Sequence, residues 1–114
     1  MAISVGNLHL QTSSGDRLDE GRICAIEAVT DVPLVIHGGS GVPAAQRTVL
    51  ARTSSICKYN IGTELRMAFG AALRDAVVAD PNRFDRVQIL KETHDPVVAA
   101  AAAVSYTHLT LPTT

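Results

Sequence analysis

Tryptophan is absent from this chain, and two phenylalanines and two tyrosines are all the aromatic surface it has. Platforms for stacking bases are therefore missing. Ten Lys and Arg against eleven Asp and Glu leave a net charge of −1, with no basic stripe to follow a phosphate backbone, so nucleic-acid binding is set aside. No apolar run approaches the ~20 residues of a membrane span and no basic leader precedes an apolar core. Neither a transmembrane helix nor a signal peptide is expected, and the chain reads as cytoplasmic. The only cysteines, Cys24 and Cys57, stand apart in apolar contexts and are expected as buried, reduced thiols, not as a bridge. The 114 residues suffice for one small core but fall well short of the ~250 of a complete (β/α)₈ barrel.

What is present is organised around Pro33-Leu34-Val35-Ile36-His37-Gly38-Gly39-Ser40-Gly41, an apolar run that stops at a histidine and a cluster of glycines. The aliphatic run predicts a strand buried on both faces, as in parallel sheets. His37 stands where that strand ends. Glycine lets backbone approach an anion closely, and Pro43 suits the first turn of a helix whose exposed N–H groups would add to the same site. The stretch reads as an imidazole beside an anion cradle.

The rest of the chain repeats this plan. Ala2 to His9 is again a short apolar run followed by glycine and histidine, and a strand opening this abruptly suits a truncated chain. Leu18 to Val29 predicts a helix with Ile23, Ile26 and Val29 on one face, ended by Asp31 and Pro33. Pro43 to Arg52 predicts a second helix and Ile56 to Asn60 a third strand. Thr63 is expected to cap the next helix, in which Glu64 favours the positive end and Leu65, Phe69, Leu73 and Val77 form one apolar face. After Asp80-Pro81, Arg86 to Val104 predicts a last helical segment, broken near Asp95-Pro96. Alternating strands and helices predict parallel α/β architecture with right-handed crossovers.

Ser105 to Thr114 abandon the pattern, with neither a helical stripe nor a partner strand, and resemble the translated read-through of a sequencing adapter. Residues 105–114 are accordingly expected to be a non-native tail after a domain of residues 1–104, and His108 is given no role.

His9 and His37, at the C-terminal ends of two parallel strands, could converge on one metal. Taken alone, a histidine at a strand end is more often a hydrogen-bonded structural residue than a ligand. A tight turn between strand and helix accounts for the glycines as well as an anion site does. Asn60 and Thr63 could be ordinary helix caps. His94 is expected on the surface.

Taken together, Ser-Val-Gly-Asn-Leu-His at 4 to 9, the stretch from Pro33 to Gly41, and Lys-Tyr-Asn-Ile-Gly-Thr-Glu-Leu-Arg-Met-Ala-Phe at 58 to 69 resemble the C-terminal part of class II, metal-dependent ketose-bisphosphate aldolases. The likeness covers about residues 1 to 104. It implies an α/β fold, the C-terminal part of a TIM (β/α)₈ barrel, with the three strands as the sixth to eighth and terminal helices after them. It implies His9 and His37 as zinc ligands, Gly38 and Ser40 as part of a substrate phosphate cradle, Asn60 as a substrate contact, and Gly62 and Thr63 at the phosphate. It also implies a Zn²⁺ cofactor with a monovalent cation as a further candidate, a phosphorylated ketose as substrate, and a homo-oligomeric parent enzyme.

Leu10 stands where many members have glycine, Ser13 where many have lysine, and Gly62 where some carry aspartate, which leaves the sugar open. The resemblance implies a third metal histidine and a proton-transfer aspartate on strands outside this sequence, so the fragment alone is expected to be inactive. Two other readings stand beside this one. Apolar strand followed by His-Gly-Gly resembles the oxyanion loop of esterases, although Gly38-Gly39-Ser40-Gly41-Val42 fails the Gly-x-Ser-x-Gly elbow at its last position. A metal-free, phosphate-binding half barrel is the other.

Overall fold

The computed structural model describes residues 1–7 and 17–109, with side chains through residue 105. In chain order these form β1 (Ala2–Ile3), α1 (Glu20–Glu27), β2 (Leu34–Ile36), α2 (Ala44–Thr53), β3 (Ile56–Tyr59), α3 (Thr63–Ala79) and α4 (Arg86–Leu109). The strands pair in parallel in the order β1-β2-β3, with Ile3 beside Ile36 and Ile36 beside Tyr59. Sequential order with crossovers of one hand places successive helices on one side of a sheet. Ile3, Leu34, Ile36 and Ile56 accordingly join Ile23 of α1 and Leu50 of α2 in a single core, completed by Val5, Leu18 and Val42.

The opposite face is different. Ala2 and Lys58 there are exposed and Val35 is half-buried, so β2 is not covered on both sides as its aliphatic run predicts. Both crossover helices went to the other face. Cys57 is the extra residue of a bulge, since Leu34 pairs with Ile56 but Val35 with Lys58. It is exposed, with its Sγ 3.4 Å from the Leu34 carbonyl. Cys24 is exposed too, one step round α1 from the buried Ile23, so neither thiol is the buried residue expected.

Helix α1 starts two residues later than predicted because the Leu18 backbone is engaged elsewhere. Its N–H donates to Gln46 Oε1 at 2.7 Å and its carbonyl accepts from Gln46 Nε2 at 2.9 Å. Asp19 then caps the helix, its carboxylate accepting the Arg22 N–H at 2.9 Å. Val29 falls beyond the helix and is exposed. At the far end of α1, the Glu27 carboxylate accepts the N–H and the hydroxyl of Ser55 just before β3, and both bonds hold its pKa below the ordinary carboxylate value.

Helix α3 packs along α4, which also touches α2. A single helix as neighbour covers only a narrow seam. The buried residues of α3 are Thr63 and Ala76, while Leu65 and Leu73 are half-buried and Phe69 and Val77 remain exposed, unlike the broad apolar face expected. Helix α4 also departs from expectation, because it continues through Asp95-Pro96 and runs past Val104 to Leu109. Pro96 is exposed and α3 supports the helix alongside, so the lost hydrogen bond does not end it.

That lost bond still carries a cost. Replacing Pro96 by alanine restores an N–H donor without removing buried contacts, and should stabilise the chain by ~1–3 kcal/mol. Urea unfolding followed by far-UV circular dichroism is the check, with a higher midpoint expected.

Candidate active site

The site begins where β2 stops. Gly38 and Gly41 take φ values of 65° and 85°, in the left-handed region open to glycine, and turn the chain sharply after His37. Gly39 between them serves closeness. Its N–H donates to the Asn60 carbonyl at 3.0 Å, and the Asn60 N–H donates to the Ile36 carbonyl at 2.8 Å. A Cβ on Gly39 would lie 3.3 Å from the Asn60 carbonyl oxygen and 3.4 Å from atoms of Ile61 and Tyr59. A side chain there would push the turn and the end of β3 apart by a few tenths of an ångström.

His37 is exposed at the mouth so formed. The Asn60 side-chain nitrogen lies 3.2 Å from its Nε2, a contact in which the amide donates, Nε2 accepts and the ring proton sits on Nδ1. Asn60 therefore meets a histidine instead of capping a helix. Asn7, just after β1, donates from its side-chain nitrogen to the His37 carbonyl while its Oδ1 accepts the Val5 N–H at 2.7 Å. This tie fixes the end of β2 relative to β1. Asn7 was visible only as a member of the 4–9 motif, without a role of its own.

A cleft of about 410 Å³ opens at the C-terminal ends of the strands, and His37, Gly38, Ser40, Asn60, Gly62 and Thr63 all line it. Every predicted site residue within the described part of the chain is thus gathered in one place. His9, Leu10 and Ser13 lie outside the described residues. Arg66, one turn into α3, lines the same cleft and donates to Thr63 Oγ1 at 3.4 Å. Sequence reading passed over it, although a cation one helical turn after Gly-Thr was a usable signal.

Thr63 is the first residue of α3 and not its cap, and the flanking Gly62 supplies no side-chain cap. The first turn of α3 thus presents N–H groups to the cleft. From the other strand end the amides of Gly39 and Gly41 are already spent, on the Asn60 carbonyl and the Glu64 carboxylate. An anion entering here would meet the amides of Gly38 and Ser40 and those of Gly62 and Thr63, the Glu64 N–H being taken by Ser40 Oγ. His94 is on the surface as expected, paired with Asp95 at 2.8 Å.

Among the described residues no group of three His, Cys, Asp or Glu side chains could hold a metal ion. His37 fits as a single ligand, since its imidazole is accessible on the cleft and of the nitrogen type zinc accepts. Tyr59 lines the same cleft with its ring half-buried, and burial pushes its pKa up to about 12, with the positive charge of Arg47 pulling the other way. Its phenol stays neutral at physiological pH.

A sequential parallel sheet with helices on one face, and a polar cleft at the strand ends, defines an α/β protein of the kind that carries its chemistry on strand-end loops. The family model for class-II fructose-bisphosphate aldolase matches residues 1–108, and the chain belongs to that family. Among solved structures it resembles the YdjI aldolase of Escherichia coli K12, at 24% identity and a TM-score of 0.70 over 95% of this chain. The match takes in 38% of that chain's length.

The Tyr59 environment yields a measurable consequence. In a spectrophotometric titration, the difference between the chain and its Tyr59→Phe variant should show a phenol ionising near 12, against an ordinary value of 10.0. The pKa is raised on folding, so the associated stability is complete below the unfolded value and is lost as pH rises through about 12. A difference transition near 10 would mean the ring is solvated.

Proposed function

We propose that this chain is the C-terminal part, strands six to eight with the terminal helices, of a zinc-dependent class II aldolase barrel. The complete enzyme would cleave a phosphorylated ketose of the fructose-bisphosphate type, reversibly, to dihydroxyacetone phosphate and an aldehyde. The observation that carries this reading is the convergence of His37, Gly38, Ser40, Asn60, Gly62 and Thr63 on one cleft in a chain of this family. Phosphate sites at the last strand ends are common in such barrels.

Each residue present has a task that its chemistry suits. The amides of Gly62 and Thr63, the positive end of α3 and the Arg66 guanidinium hold a phosphate from one side, and the amides of Gly38 and Ser40 hold it from the other. The Asn60 side-chain amide donates to a substrate oxygen. His37, with His9, would hold the Zn²⁺, which when bound supplies a Lewis acid to the ketose carbonyl. The single lone pair on His37 Nε2 cannot serve Asn60 and a metal at once. Ligation through Nε2 would free the Asn60 amide for substrate, whereas ligation through Nδ1 would move the ring proton to Nε2, which could then meet only the Asn60 side-chain oxygen. Proton transfer falls to an aspartate on the strands this chain lacks.

Two physical quantities favour a piece over a whole. The accessible surface is 7348 Å², against about 6,000 Å² for a folded monomer of this mass. The radius of gyration is 17.4 Å, against about 13 Å for a compact domain of this length. The uncovered sheet face around Val35 is where the other strands of a barrel would close. No described helix is long and apolar enough to cross a membrane.

The hydrolase alternative is disfavoured by Ser40 itself, which is only 3% exposed and accepts the Glu64 N–H at its Oγ, 3.4 Å away. A metal-free phosphate half barrel differs from the aldolase in having no use for His37.

The test is a coupled assay for triose phosphate, with zinc and fructose or tagatose bisphosphate supplied, on residues 1–114 and on a full-length form of the enzyme. The short chain should show no turnover and the full-length form should be active, with His37→Ala lowering its kcat/KM at least ~100-fold. Turnover by the short chain would refute the fragment reading.

A further inference from the structure

Helix α3 lacks a cap of its own, and the residue that replaces it comes from another strand end. Gly62 offers no side chain, yet the Glu64 N–H in the first turn of α3 points to Ser40 Oγ at 3.4 Å. Glu64 reaches back, its Oε1 accepting the Gly41 N–H at 3.0 Å. A serine oxygen capping a helical N–H while a glutamate accepts a backbone N–H beside that serine is the reciprocity of a capping box. Here the two halves stand on different loops, 24 residues apart.

The third member is Arg47 of α2, buried to 6% exposure, with NH1 3.8 Å from the same Glu64 oxygen. Among the described residues its Nε and NH1 are buried without a hydrogen-bond partner, and the negative charge of Glu64 lies beside NH1. Removing that carboxylate would strand a buried cation. Glu64 is thereby held by two elements, and it holds the glycine turn in return.

We infer that Glu64 is a positioning residue for the anion cleft: with Ser40 and Arg47 it latches the Gly38–Gly41 turn to the start of α3, and so sets the spacing between the two groups of amides that grip one phosphate. This rests on the phosphate-cleft reading above. Glu64 does not line the cleft itself, and its carboxylate would repel the ligand if it did. Its action is through Gly41 and Ser40.

The test uses the 114-residue chain with Glu64→Ala and Glu64→Gln, read by amide NMR. Hydrogen exchange at Gly41 reports the latch, titration with inorganic phosphate reports the cleft, and protection of the β2 amides reports the fold. Glu64→Ala should speed Gly41 exchange and weaken phosphate binding, each by about three- to tenfold, while β2 stays protected. Glu64→Gln, which keeps an oxygen acceptor for Gly41, should recover most of the Gly41 protection and part of the affinity. Unchanged Gly41 exchange in Glu64→Ala would overturn the inference, as would unchanged phosphate affinity once that protection is lost. A chain that gives no phosphate response before substitution would overturn the cleft reading and, with it, the positioning role.

Discussion

The contact on which the rest of the site depends is the pair of backbone hydrogen bonds between the turn after β2 and the end of β3. Gly39 donates to the Asn60 carbonyl and Asn60 donates to the Ile36 carbonyl, which extends the pairing of β2 with β3 into the loops. Both bonds need the two chains at van der Waals distance, and a side chain on Gly39 would stand 3.3 Å from the carbonyl oxygen. Once that contact is made, the other positions follow. His37 is brought to Asn60, Ser40 to Glu64, and the start of α3 to the rim of the cleft.

The sheet supplies what the loops need. Parallel strands in sequential order send every loop after a strand to the same end, so three short motifs far apart in sequence can act at one mouth. Asn7 ties the end of β1 to that mouth through the His37 carbonyl. The core of Ile3, Leu34, Ile36 and Ile56 under α1 and α2 keeps the strand ends level, while Lys58 on the other face is exposed and Val35 half-buried.

Much of this was legible in the sequence, for physical reasons. Short apolar runs ended by glycine mark strands and their terminal loops, and the order of elements follows from them. Likeness of three ordered motifs to one family named the residues that gather at the cleft, and the match over residues 1–108 supports the family itself. Other features depend on tertiary partners that no local pattern reveals. Gln46 and Arg47 are polar residues of α2 that sequence reading gave no role, yet both are buried, one satisfied by the Leu18 backbone and the other facing Glu64. The continuity of α4 through Pro96 depends on support from α3. Thr63 looked like a cap because the serine that assists the first turn lies on a different loop.

The central claim is that two strand ends form one phosphate-binding mouth. Chemical-shift mapping with dihydroxyacetone phosphate on the 114-residue chain tests it most directly. The account predicts saturable shifts at the amides of Gly38, Ser40, Asn60, Gly62 and Thr63 together, with a single dissociation constant. Shifts confined to one strand end, or centred away from the cleft, would contradict it.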